Sequence, residues 1–554
     1  MMETNEYESG LNMLEELTTN AQQIQDQLLG EILSRNAGSE YLRRFLHGQA
    51  DKQLFKKNVP IASYEDIKPY IDRIANGEAS SHVLSAETFI GFFLSTGTSG
   101  GQPKLIPVTA ESANRMAMFN ALRWSLVIKH VGDIDEAGKR MELMFAKPEV
   151  ETPCGLKASA VSTRVLKGSR FRAILPKLYT SPFETIFCPD TKQSMYCQLL
   201  FGLLQRDEVF MIGSIFASTV LRSIKFLENN WQELCSNIRT GQISDWITDL
   251  GCRTAAASIM KPDSDLAYLI ENICRCKSWD GIIRKLWPKT KYIGAICTGA
   301  MMQYTAELEF YCGGLPLVSG FYGCSEGVNG INLEPLCKPS DVSYTFLPDA
   351  VYYEFVPIEE ESVGTKSNDK DTKPVDLVNV KPGRCYELLV TSSIGRQNVG
   401  LCVDVERTSE SDILKALTEA KILLDQLGLI LTEYTSYGDT SSTPGHYVIF
   451  WELKAKEGNN GKELDPKVME ACCSRIEDSL HFTYRRYRKE NIIAALEIRV
   501  VKQGTFEALM DYFVSRGPSL SQYKTPICIK PKEALKILDS RVIAKFFSQK
   551  TPTI

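Results

Sequence analysis

Short apolar runs alternate with helix-periodic stretches along most of this chain, and that alternation constrains its fold more than any other feature. Runs of strand length stand at 291–296, 317–321, 350–356 and 386–390, and residues 80–110 read as strand, loop, strand. Between them, apolar residues recur at three- and four-residue intervals. Leu14, Leu17, Ala21, Ile24, Leu28 and Ile32 form one stripe. Met116, Met118, Leu122, Leu126 and Val127 mark a second helix over 111–131, and further helices are expected at 192–206 and 214–239. A period near two suits a strand and one near 3.6 a helix. Their alternation predicts an α/β core.

Beyond residue 400 the pattern changes to a helix at 413–427 and strands at 446–453 and 496–501. This predicts a large N-terminal α/β domain over 1–400, its β-sheets flanked by helices, and a smaller α+β domain over 401–554. The charged stretches 359–373 and 454–465 lack apolar content and read as exposed loops.

With 63 basic against 68 acidic residues the net charge is −5, which argues against a dedicated nucleic-acid partner. The dense basic run Arg485-Arg486-Tyr487-Arg488-Lys489 reads as a solvated helix face. No run of 18 apolar residues exists to span a membrane, and the acidic N-terminus has no apolar signal core. The 16 cysteines contain no C-x-x-C pair and no usual zinc spacing. A reduced, cytoplasmic protein with buried thiols is expected. The five histidines are dispersed and suggest no nucleophile partner.

Chemistry concentrates in two loops. The apolar run Phe89-Ile90-Gly91-Phe92-Phe93-Leu94 empties into Ser95-Thr96-Gly97-Thr98-Ser99-Gly100-Gly101. Glycines let backbone N–H groups turn inward and hydroxyls add donors, which suits a phosphate. Neither a Walker A motif nor G-x-G-x-x-G fits; an ordinary Gly/Ser turn is the alternative on composition alone. The second loop is Phe321-Tyr322-Gly323-Cys324-Ser325-Glu326-Gly327. Its aromatic can stack on a purine and its carboxylate can hold Mg²⁺; a plain strand-to-turn transition is the other reading. Cys297-Thr298-Gly299-Ala300 has the same logic with less specificity.

These pieces stand in one order with Tyr41-Leu42-Arg43-Arg44-Phe45, Gly213-Ser214-Ile215-Phe216-Ala217-Ser218, Gly330-Ile331-Asn332-Leu333, Gln503-Gly504-Thr505-Phe506 and Gln522-Tyr523-Lys524-Thr525-Pro526. Over nearly its whole length the chain resembles the Gretchen Hagen family of plant acyl acid amido synthetases, the auxin-responsive amino-acid conjugases. Within that family it is most similar to the branch conjugating benzoates or isochorismate to glutamate. The resemblance implies an adenylate-forming N-terminal domain and a mobile C-terminal one. It implies a monomeric ligase that uses ATP and Mg²⁺ to adenylate a small carboxylic acid, benzoate-, chorismate- or auxin-like, and passes it to an amino acid.

By the same resemblance Ser95, Thr96, Thr98 and Ser99 grip the phosphates, and Thr298, Gly299, Tyr322, Gly323, Cys324 and Ser325 border the nucleotide. Glu326 holds the Mg²⁺, and Glu326, Arg407 and Thr98 carry catalysis. Arg123 meets the acyl carboxylate; on the residues alone it reads equally as a surface arginine of an amphipathic helix. Phe119, Asn120 and Thr219 shape the acid pocket, with Asn120 standing where the branch has a tyrosine. Arg407 replaces a lysine.

One segment departs from the family. A Tyr-Arg-x-Arg-x-Gly-Asp type stretch, whose aspartate holds the ribose, has no counterpart between Glu387-Leu388-Leu389-Val390-Thr391 and Arg396-Gln397-Asn398. The alternative to an active ligase is therefore a catalytically impaired relative that binds without turnover.

Overall fold

The computed structural model describes residues 4–95, 104–132, 138–324, 327–357, 373–392, 395–398, 410–455, 464–517 and 519–553. Most of the two expected polar loops, 358–372 and 456–463, lies outside them.

The centre is a parallel four-stranded sheet in the order Lys139–Glu142, Val209–Phe216, Tyr292–Ile296, Leu317–Val318. Helices cover its strands, so both faces are apolar, as parallel sheets require. The helix Thr191–Leu204 is buried almost all round, and Tyr196, Cys197, Leu199, Leu200 and Phe201 are each fully buried. Asp190 caps it by accepting from the Lys192 and Gln193 N–H groups. The expected helix at 214–239 begins later: Val209–Phe216 is strand and the helix is Ala217–Thr240. A strand buried on both faces reads as a continuous apolar run, which periodicity cannot tell from a helix end. The single N-terminal stripe is likewise two helices, Thr4–Thr19 and Ala21–Asn36, parted at Asn20.

Three smaller sheets complete this part. Phe89–Leu94 pairs antiparallel with Leu105–Thr109, and a bulge at Gly91 brings its backbone against Arg164 and Lys157. A Cβ at Gly91 would stand 2.6 Å from the Lys157 carbonyl, and its φ of +151° also favours glycine. Phe321–Cys324 pairs with Gly327–Ile331, and Tyr352–Pro357 pairs with Tyr386–Ser392.

The C-terminal part is a mixed sheet ordered Leu429–Asp439, His446–Ala455, Glu497–Val501, Val542–Phe547. Side chains alternate across it. Val448 and Phe450 join the core beneath the parallel sheet, whereas Ile449 and Trp451 face the helices Glu410–Gln426 and Pro466–Ser479. The basic run 485–489 is only partly solvated. Arg488 turns inward to the fully buried Glu477, 2.9 Å away, because that carboxylate also holds Tyr484 and the Leu496 N–H.

Candidate active site

In open α/β sheets ligands bind beyond the carboxyl ends of the parallel strands. Here Thr298 and Gly299 follow Tyr292–Ile296, Ser319 to Tyr322 follow Leu317–Val318, and Thr219 follows Val209–Phe216. Three of the segments singled out by sequence thus follow strands at the carboxyl end of the central sheet.

Ser319 is the fully buried node. Its hydroxyl accepts from the Cys297 N–H at 2.9 Å and from the Tyr344 hydroxyl at 3.3 Å. Tyr344 in turn lies 3.0 Å from the Thr298 hydroxyl, which starts the short helix Gly299–Tyr304. The Tyr322 ring is 36% exposed and sits 5.9 Å from the Tyr344 ring and 6.2 Å, edge-on, from Phe346. With Phe355, Tyr386, Lys381 and Arg384 these rings line a cavity of about 600 Å³. Burial pushes the neighbouring Cys297 thiol up to about 12, so it stays protonated and is no nucleophile here.

Arg123 comes from the helix Ala110–Val131, which Thr109 caps directly after the strand Leu105–Thr109. Its guanidinium lies 5.1 Å from the Phe321 ring centre. A Cβ at Gly320 would approach Arg123 Cδ to 3.2 Å, so glycine makes room for the arginine. Arg123 Nε is buried with no hydrogen-bond partner among the described residues. An orphaned guanidinium N–H beside a half-open aromatic surface fits an anionic substrate group. Phe119 packs edge-on to Phe321 at 6.1 Å, within a cluster with Leu14, Leu122, Leu126, Ile331 and Leu347. Asn120 is half-buried beside it. Thr219 is fully buried and donates to the Leu520 carbonyl at 3.3 Å.

Ser95 closes the neck of the hydroxyl-rich loop: its hydroxyl accepts from the Lys104 N–H at 2.9 Å, and its N–H donates to the Lys104 carbonyl at 3.0 Å. Thr96, Thr98, Ser99, Ser325, Glu326 and Arg407 lie outside the described residues, as does the Cys324 side chain; the Cys324 backbone pairs with Gly327. Gly323 is exposed, and a Cβ there would stand 3.2 Å from the Gly327 carbonyl. Sequence reasoning missed Ser319 and Tyr344. The alternation of polar and aromatic residues in Ser343-Tyr344-Thr345-Phe346 was the available signal.

The chain belongs to the GH3 family, whose N-terminal domain matches residues 10–317, central domain 344–410 and C-terminal domain 411–533. It is 49% identical to the indole-3-acetic acid-amido synthetase GH3.17 of Arabidopsis thaliana, over 99% of this chain and 97% of that protein. It is 47% identical to the 4-substituted benzoates-glutamate ligase GH3.12 of the same plant, over 97% of each. The solved GH3.15 acyl acid amido synthetase superposes with a TM-score of 0.87 at 47% identity, over 98% of each chain. Among the described residues no helix is long and apolar enough to cross a membrane.

Proposed function

We propose that this chain activates a small aromatic or auxin-like carboxylic acid with ATP and Mg²⁺ and joins it to an amino acid, glutamate first among the candidates. The observation that carries this reading is Arg123: a buried guanidinium N–H, unpartnered among the described residues, lies against Phe321 in the strand that also carries the exposed ring of Tyr322. Consecutive residues of a strand face opposite sides, so the acid would lie on the Arg123 side and the nucleotide base on the Tyr322 side of the strand Phe321–Cys324. The names of relatives support the substrate classes, since they include indole-3-acetic acid and 4-substituted benzoates with glutamate.

ATP supplies the adenylyl group that turns a poor leaving oxygen into a good one. The carboxylate oxygen attacks the α-phosphate and pyrophosphate leaves. The amine then attacks the acyl carbon, AMP leaves, and the amine proton passes to solvent. In this reading Arg123 fixes the carboxylate, Tyr322 stacks the base, and Thr298 and Gly299 border it. Ser95, Thr96, Thr98 and Ser99 hold phosphate, and Glu326 holds the metal. Arg407 neutralises phosphate charge from the hinge near residue 400, about which the 401–554 domain moves. Alignment of reactants and charge neutralisation are the protein's whole task.

A second reading, a relative that binds without turnover, draws on the hairpin at 386–398. Ser392 stands opposite Gly395, with two residues between them, at the place where the resemblance leads one to expect the ribose-holding segment. Pyrophosphate release with ATP, Mg²⁺ and a panel of acids and amino acids tests both readings. Release dependent on one acid supports the ligase; no release across the panel supports the second reading.

A further inference from the structure

Three thiols and a carboxylate from three separate segments converge apart from the residues assigned to the candidate active site. Cys188 precedes the helix Thr191–Leu204, Cys197 lies within it, and Asp249 and Cys252 open the helix Leu250–Ile259. The ligand atoms of Cys188, Asp249 and Cys252 all lie within 4.8 Å of one another. Cys197 stands beside the Cys252 thiol. All three cysteines are buried and unoxidised, while Asp249 is only half-buried and marks the route to solvent.

We infer that Cys188, Cys252 and Asp249, with Cys197 as a fourth donor within reach, bind a thiophilic divalent cation of the zinc class. A tetrahedral zinc at about 2.3 Å from sulfur holds its ligand atoms about 3.8 Å apart, so small side-chain rotations suffice. Sulfur selects zinc-like ions over magnesium or calcium. The carboxylate is held in place by its surroundings. Asp249 accepts from the Cys252 N–H at 2.8 Å, and the buried Gln193 Oε1 accepts from the Thr248 and Asp249 N–H groups at 2.8 and 2.9 Å. Such outer hydrogen bonds orient metal ligands.

Each thiol that becomes a ligand, Cys188, Cys252 or Cys197, releases its proton to solvent on binding.

Cobalt(II) added to the full-length chain provides the test, because thiolate-to-cobalt charge transfer reports sulfur ligation. One cobalt per chain is expected, displaced by zinc. Cys188→Ser and Cys252→Ser should abolish the band, Asp249→Asn should weaken binding tenfold or more while keeping the helix cap, and the exposed Cys385→Ser should leave it unchanged. Absence of the band at stoichiometric cobalt, or its survival in both serine variants at 188 and 252, overturns the assignment. If the serine variants fail to fold, zinc-edge X-ray absorption on the wild-type chain decides. Two or three sulfur neighbours support the site, and a shell of nitrogen and oxygen alone overturns it.

Discussion

Arg222, from the helix that follows the second strand of the parallel sheet, reaches Glu433 on the first strand of the C-terminal sheet at 3.1 Å. Both side chains are largely buried, at 19% and 12% exposure. The same carboxylate accepts from the Tyr304 hydroxyl at 2.8 Å and from Thr525 at 2.9 Å. Burial, with Glu433 beside it, holds the Tyr304 hydroxyl well above its ordinary range, so it remains a donor. The two parts of the chain are thus tied through one carboxylate. Removing one partner strands the other in a low-dielectric junction. Arg222→Met should cost about 3–5 kcal/mol in urea unfolding, and Arg222→Met with Glu433→Gln should cost less than either change alone would suggest. A single-variant loss under about 1 kcal/mol would show that water already reaches the pair.

Arg123→Ala should remove the carboxylate contact and leave the nucleotide surface intact. Hydrogen bonds to charged groups contribute about 1.5–3 kcal/mol. We expect kcat/KM for the acid to fall about 10–100-fold, with the KM for ATP little changed. Equal effects on both substrates would mean that Arg123 serves only to pack on Phe321.

Tyr322→Ala tests the nucleotide side. Stacking of a base on an aromatic ring is worth about 1–3 kcal/mol, so the KM for ATP should rise about 5–100-fold. Because the ring is already 36% exposed, the unfolding midpoint should hardly move. Thr98→Ala should likewise weaken ATP use without loss of fold. An unchanged ATP dependence in both variants would displace the nucleotide from this edge of the sheet.

Asp439 gives a pH signature. Burial raises its carboxyl, but Ser441 hydroxyl and N–H donors, the Tyr437 hydroxyl and the nearby His446 together hold it down to about 2. A carboxyl depressed in the folded state contributes stability above its unfolded value near 4, and that contribution is lost as pH falls through 2. The shift corresponds to about 2 kcal/mol. Asp439→Asn should therefore be less stable than wild type by about that amount at pH 7, and the gap should close between pH 4 and pH 2. A gap that persists at pH 2 would assign the loss to packing.

What the sequence disclosed follows from how local each signal is. The strands at 292–296, 352–357 and 386–392 and the helix at 110–131 announce themselves by period, and the Tyr322 and Ser95 loops by residue type. Ser319 and Tyr344 do not, because their roles arise only when residues 25 apart in the chain meet at 3.3 Å. Cys188, Cys197 and Cys252 have no metal-like spacing for the same reason: the fold, not the interval, brings their sulfurs together. Arg488 misled because charge in a helix predicts solvent unless a buried carboxylate such as Glu477 waits opposite.

Arg396 decides whether the hairpin at 386–398 is a sound piece of this fold. It pairs with Glu354 through both arms of its guanidinium, at 2.7 and 2.8 Å, and donates to the Val59 carbonyl at 2.7 Å. Exposure of the pair is 5% and 3%. The hairpin is thus locked to both the strand Tyr352–Pro357 of its own sheet and the N-terminal helices, and Arg396→Met should destabilise the chain by about 3–5 kcal/mol, read as the urea midpoint. If this hairpin lacks the family's ribose carboxylate, as the second reading holds, activity faces a separate demand. Such a loss costs about 2–4 kcal/mol in transition-state binding, or about 10²–10³-fold in rate. Inserting the corresponding segment of a GH3 relative between Ser392 and Gly395 should recover that factor in pyrophosphate release. If wild type already turns over as fast as the insertion variant, other residues hold the ribose here, and the short hairpin costs this chain nothing.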